Sequence, residues 1–172
     1  NVALNPCIGL MAVAPAEPGV HHTSPPRYCG GNIDCKELKR GSTLYLPISV
    51  KGALFSIGDG HGAQGDGEVS GTAIECPMDL VDITLTLRDD MQLAMPRAKT
   101  PAGWITFGFN EDLNQAAAQA LDEMVELISV LYKIERSQAL ALASVTVDLR
   151  VTQVVNGVKG VHAVLPDGSI AL

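Results

Sequence analysis

Much that would point to a macromolecular partner is missing from this chain. There is no basic surplus: 19 acidic residues against 12 lysines and arginines leave a net charge of −7. That excludes the cationic footprint of a nucleic-acid binder. No apolar run reaches the length needed to span a membrane. The four cysteines, Cys7, Cys29, Cys35 and Cys76, form no CxxC pair. A cysteine zinc site is therefore not expected, and the reading is reduced thiols in a cytoplasmic protein, although Cys29 and Cys35 lie near enough in sequence to meet across a loop. The chain opens on Asn1, Val2 and Ala3, without an initiator methionine or the pattern of a signal peptide. The expectation is a trimmed chain or a piece of a longer protein.

What is present is enough for one domain over residues 1–172, with 47% apolar residues to build a core. The apolar run at 8–14 predicts a buried strand. A loop rich in proline, glycine and serine follows at 15–31; its adjacent His21 and His22 diverge, so one metal ion does not take both. Strands are expected over 42–50, with Pro47 marking an edge or bulge, and over 53–57, 68–75, 81–87 and 104–109. The 81–87 segment alternates most cleanly. From Asn110, expected as a cap, apolar residues recur at three-and-four spacing and predict an amphipathic helix to about residue 133. A second helix is expected over 138–145. Segments 149–155 and 161–165 close as a hairpin around Asn156 and Gly157, with His162 on a sheet surface. The sum is an α+β fold, mainly β, with β-sandwich-like sheets and a two-helix insertion before a C-terminal β-hairpin.

Residues 58–68 hold the chemistry. Five glycines, three carboxylates, one histidine and one amide fall among these eleven positions, with Ala63 the remaining one. Glycine at this density marks backbone that turns sharply or approaches a ligand closely. In an extended backbone Asp59 and His61 project on one face, either as metal ligands or as a carboxylate orienting a histidine base. Asp66 and Glu68 repeat the spacing and offer a third ligand and a general base for metal-assisted hydrolysis. The carboxylates miss the ladder of an EF-hand, and the Lys-Ser/Thr ending of a phosphate loop is absent. Ser56 and Ser70 flank the stretch without a G-x-S-x-G elbow. Asn32 and Asp34, in the turn at 30–34, either bond their own backbone or face a site. Spacing alone leaves a polar site with metal binding and hydrolysis both open.

Residues 52–68, ending Gly58-Asp59-Gly60-His61-Gly62-Ala63-Gln64-Gly65-Asp66-Gly67-Glu68, resemble the signature of the acetamidase/formamidase family, together with Gly71-Thr72-Ala73-Ile74-Glu75. Segments 11–19, 30–34 and 149–161 are similar to the family in the same order. The resemblance implies hydrolysis of a small neutral amide (formamide, acetamide or a small cyclic amide) to a carboxylate and ammonia or an amine, by metal-activated water. It implies a divalent metal ion, zinc first and calcium second, with Asp59 and His61 as ligands and Asp66 as a third. Glu68 is the implied base beside His61, while Asn32, Asp34 and Glu75, and more remotely Glu17, line the substrate. It further implies a homo-oligomer. Family members are longer and the match resembles their C-terminal part, so association with an N-terminal portion is expected. The second reading is a non-catalytic metal-binding or assembly domain of the same fold.

Overall fold

Two antiparallel sheets and two helices make up the regular structure among the described residues. The computed structural model describes residues 1–171. Along them run β1 (Cys7–Ala12), β2 (Gly30–Asn32), β3 (Thr43–Tyr45), β4 (Ser56–His61), β5 (Arg97–Thr100), β6 (Gly103–Asn110), α1 (Leu113–Tyr132), α2 (Arg136–Thr146), β7 (Asp148–Gln153) and β8 (Lys159–Leu165). The smaller sheet has the order β2-β1-β4 and the larger the order β3-β5-β6-β8-β7. The fold is α+β and mainly strand, with the helix pair inserted between β6 and the closing β7–β8 hairpin.

The larger sheet is buried on both faces because its central strands carry apolar residues on both. Val161, Ala163 and Leu165 of β8 turn towards the helices. Val164, with Ile105 and Phe107 of β6, turns the other way. Helix α1 covers the first face with Ala116, Ala120, Met124, Leu127 and Ile128, the stripe expected of a three-and-four repeat. Gly108 lets the helix come this close, since a Cβ there would overlap the Ala116 carbonyl oxygen. The Thr106 hydroxyl donates to the Ala120 carbonyl at 2.7 Å. The opposite face is covered by Ile33, Cys35 and Leu38, which follow β2. These apolar anchors hold Asp34 between them, so packing of the larger sheet positions a residue of the site.

The structure corrects several expectations. Asp112, not Asn110, caps α1: its Oδ1 accepts from the backbone N–H groups of Asn114 and Gln115 at 2.7 and 3.2 Å. Helix α2 starts at Arg136, behind a capping box made by Glu135 and Gln138. The strand expected over 42–50 shrinks to Thr43–Tyr45 and ends before Pro47. The strand expected over 53–57 is displaced, because Ala53 and Leu54 turn at φ 57 and 53. β4 instead runs through Gly58 and Gly60, where it pairs with β1. No strand forms over 68–75: Glu68 turns the chain at φ 44, and only the His61–Glu75 bridge is made there. Segment 81–87 pairs with no strand among the described residues. His162 is not on a surface but fully buried, hydrogen bonded through Nδ1 to the Thr152 hydroxyl at 2.8 Å. Burial pushes its imidazole down to about 4, so it is a neutral core residue. Cys29 and Cys35 are both free thiols.

Candidate metal and catalytic site

The site assembles on the smaller sheet. Antiparallel pairing sets Cys7 opposite His61, which carries the end of β4 inward and leaves the His61 ring fully buried. Asp59 precedes it by two positions on the same strand. Asp34 comes from the segment after β2, Glu68 from the turn that closes the glycine-rich stretch, and Glu75 from the residue bridged to His61. Three of these carboxylates leave left-handed backbone: Asp34 at φ 52, Asp59 at φ 61 and Glu68 at φ 44. Such conformations are uncommon outside glycine, and local strain of this kind concentrates at functional sites. Gly9 makes the convergence possible. A Cβ there would lie 2.5 Å from both Asp34 Oδ1 and Asp59 Oδ2.

The His61 Nε2 atom lies 3.3 Å from Asp59 Oδ1, 3.4 Å from Glu75 Oε2 and 3.9 Å from Asp34 Oδ1. Two sets of three donors, Asp34–His61–Glu68 and Asp59–His61–Glu75, each bring their ligand atoms within 4.8 Å of one another. Three buried polar atoms here have no hydrogen-bond partner: Asp34 Oδ1, His61 Nε2 and Glu68 Oε2. Unpaired polar atoms in an interior are costly, and donor atoms of these three residues lie within 4.8 Å of one another.

Amides hold the ring and the carboxylates from behind. Gln64 Nε2 donates to the Asp34 backbone carbonyl at 2.6 Å, and Gln64 Oε1 meets His61 Nδ1 at 2.8 Å. Asn156 Nδ2 donates to Asp34 Oδ2 at 2.6 Å. Asn156 is presented by a hairpin turn that Gln153 organises, its Oε1 accepting from the N–H groups of Val155 and Asn156 at 2.8 and 3.0 Å. The same hairpin holds the glycine-rich stretch, for Gly67 exchanges backbone hydrogen bonds with Thr152 and Val154 at 3.0 and 3.1 Å.

The electrostatics follow from burying several carboxyls together. Burial raises Asp34 to about 6, with the Asn156 hydrogen bond opposing and the facing Glu68 charge adding to the rise. Burial raises Asp59 and Glu68 as well. For His61 burial pulls downward, but the Gln64 hydrogen bond and the charges of Asp59, Glu75 and Asp34 outweigh it, so the net movement is upward. Burial and the neighbouring Asp34, Asp59 and Glu68 push the Cys7 thiol up to about 11, which keeps it protonated. The cluster as a whole favours a positive charge beside Nε2. A divalent cation meets that demand, and a donor set of one imidazole nitrogen with carboxylate oxygens fits one.

Among the residues singled out in the sequence, Asp59, His61 and Glu68 come together in this cluster. Asp34 and Glu75, expected on the substrate side, fall within the two donor sets. Asp66 does not join as a third ligand: its carboxylate pairs with Lys36 Nζ at 2.9 Å and belongs to neither set. Of Asn32, the backbone carbonyl accepts from Asn156 Nδ2 at 3.3 Å. Glu17 is engaged elsewhere, accepting from the Tyr28 hydroxyl at 3.2 Å. Sequence reasoning missed Gly9, Gln64 and Asn156. Gln64 carried a signal as the one amide inside the glycine-rich stretch, and Asn156 only as a turn residue. The Asp59 side of the cluster borders a cleft of about 280 Å³ whose lining includes Ile8, Ile57, Met78 and Val81.

Comparison with known proteins adds three findings. The family model described as "Acetamidase/Formamidase family" matches residues 3–167. The acetamidase of Mycolicibacterium smegmatis and the formamidase of Methylophilus methylotrophus are each 52% identical over 48 residues, 28% of this chain and 12% of theirs. The crystal structure of an acetamidase from Bacillus halodurans superposes with a TM-score of 0.85 at 32% identity, covering 95% of this chain and 55% of that one. The chain therefore spans about half the length of that solved relative.

Proposed function

The chain belongs to the acetamidase/formamidase family, and from that premise we propose that it hydrolyses a small neutral amide with water to a carboxylic acid and ammonia. The observation that carries this reading is the unpartnered His61 Nε2, buried and facing the carboxylates of Asp59, Glu75 and Asp34. His61 and Asp59 would hold a divalent cation, with Asp34 or Glu75 completing the set. Zinc suits the site better than calcium, because calcium takes oxygen ligands and the imidazole supplies nitrogen. Such an ion, when bound, supplies Lewis acidity to an amide carbonyl and to water.

The remaining roles fall to the chain's own side chains. Glu68 is buried and its carboxyl is raised by that burial, which suits a group that takes a proton from water and gives it to the departing amine. The cleft beside Asp59, walled by Ile8, Ile57, Met78 and Val81, suits a short uncharged acyl group, since small-molecule sites are mostly apolar with few polar groups. We place the reaction in the cytoplasm, in keeping with four cysteines that are all free. No helix among the described residues is long and apolar enough to cross a membrane.

Ammonia release from formamide and acetamide, before and after chelation and with zinc restored, tests the activity. Activity lost on chelation and regained with zinc is the expected result. Zinc binding without turnover on either amide would favour the non-catalytic metal-binding reading instead. Glu68→Gln should retain zinc and lose about 100-fold or more in turnover, the usual scale of general acid–base catalysis. Unchanged turnover in that variant would remove Glu68 from the chemistry.

A further inference from the structure

We infer that Gln64 is a positioning residue that fixes the tautomer and the aim of His61, and thereby sets the cation affinity of the site. The inference rests on the metal-amidase reading above. Its basis is a chain of two hydrogen bonds whose direction can be read. The Asp34 carbonyl oxygen only accepts, so the Gln64 group 2.6 Å from it must be the amide nitrogen. The Gln64 oxygen is then the atom 2.8 Å from His61 Nδ1. An amide oxygen only accepts, so Nδ1 must carry a proton. A neutral ring with its proton on Nδ1 has its lone pair on Nε2, the atom that faces Asp59, Glu75 and Asp34. Flipping the amide to free Nδ1 would set two oxygens 2.6 Å apart at Asp34, a repulsive contact. One side chain therefore selects the ligating nitrogen.

Gln64 also ties together two ligand-bearing segments. His61 ends β4, whereas Asp34 follows β2 at a left-handed φ of 52. The Gln64 amide spans both, holding the ring on one side and the Asp34 backbone on the other. Partners of this kind behind a ligating histidine set its orientation and basicity, and their removal typically costs ~10–100-fold in metal affinity. A carboxylate keeps the half of this role that faces the imidazole N–H, from which it also accepts, but it cannot donate to the Asp34 carbonyl.

The test is a zinc titration of the purified chain against a competing chromophoric chelator, comparing wild type with Gln64→Met and Gln64→Glu. Gln64→Met is close in volume but offers nothing to Nδ1, and its affinity should fall about 10–100-fold. Gln64→Glu keeps the acceptor for Nδ1 but loses the donor to the Asp34 carbonyl, so its affinity should fall less than that of Gln64→Met, by under about tenfold. Imidazole proton–nitrogen correlation spectra of the zinc-loaded protein supply a second readout: a protected Nδ1–H of His61 in wild type and Gln64→Glu, absent in Gln64→Met. A purely structural role would lower zinc affinity equally in both variants, with no advantage for glutamate. Wild-type affinity in Gln64→Met overturns the inference. If Gln64→Met fails to fold, Gln64→Glu decides, and loss of the protected Nδ1–H of His61 there overturns it. A wild-type chain that binds no zinc overturns the metal reading itself, a distinguishable outcome.

Discussion

At the scale of single residues, the site depends on a glycine as much as on any ligand. Gly9 has no side chain where Asp34 and Asp59 approach each other, and a methyl group there would sit 2.5 Å from an oxygen of each. Its backbone is not left-handed, so alanine is tolerated by the main chain and its effect falls on the carboxylates. Gly9→Ala should leave far-UV circular dichroism unchanged while weakening zinc binding tenfold or more, on the scale of lost outer support to a metal site. Unchanged affinity would show that the two carboxylates need not converge for the ion to bind. Asp59, His61 and Glu68 were legible in the sequence because glycine density and period-two spacing both point to them. Asp34 and Glu75 were legible as polar residues near the site. Their convergence on one nitrogen was not, because it depends on the pairing of β1 with β4 and on a turn at Glu68. Gly9 was invisible, since nothing local to residues 7–12 says that two distant carboxylates will meet above it.

Among the elements, α1, β1 and the central strands of the larger sheet read well, whereas β4 did not. Helix α1 was evident from its repeat and β6 and β8 from apolar runs, and all three lie in the core. β4 was misplaced for a physical reason: it is mostly glycine and polar residues, so its pairing is set by β1 rather than by its own propensity. The same dependence on a glycine governs how α1 docks. Gly108 faces the helix so closely that a Cβ would overlap the Ala116 carbonyl oxygen and crowd the Ala120 nitrogen. Both are backbone atoms inside a helix, so relief requires the whole of α1 to shift. Gly108→Ala should destabilise the fold by about 1–3 kcal/mol, the usual cost of overpacking. Urea denaturation would show this as a lower midpoint with an unchanged slope. A midpoint equal to wild type would mean that α1 can slide without loss of packing.

For the molecule as a whole, the surface is larger than its mass requires. A folded monomer of 18.1 kDa is expected to expose roughly 8,100 Å², whereas this chain exposes 9627 Å². Part of the excess lies in residues 81–87, where Val81, Ile83, Leu85 and Leu87 stand 41%, 44%, 67% and 79% exposed. They alternate with Asp82, Thr84 and Thr86, as in a half-buried strand, yet these residues make no backbone–backbone hydrogen bond among the described residues. A segment whose exposed aliphatic residues alternate with polar ones, and whose amides lack backbone partners among the described residues, is a ready partner for strand addition. The solved relative carries nearly as much chain again beyond the part matched here, and we propose that portion as what covers the strip. Co-expression with the unmatched portion of the Bacillus halodurans acetamidase should yield a complex that co-purifies. Leu85→Lys with Leu87→Lys should abolish that complex while changing the stability of the isolated chain by no more than about 0.5 kcal/mol, since both side chains are exposed. Failure to co-purify, combined with sedimentation of the wild-type chain as a dimer that the double variant dissolves, would assign the strip to contacts between copies of this chain.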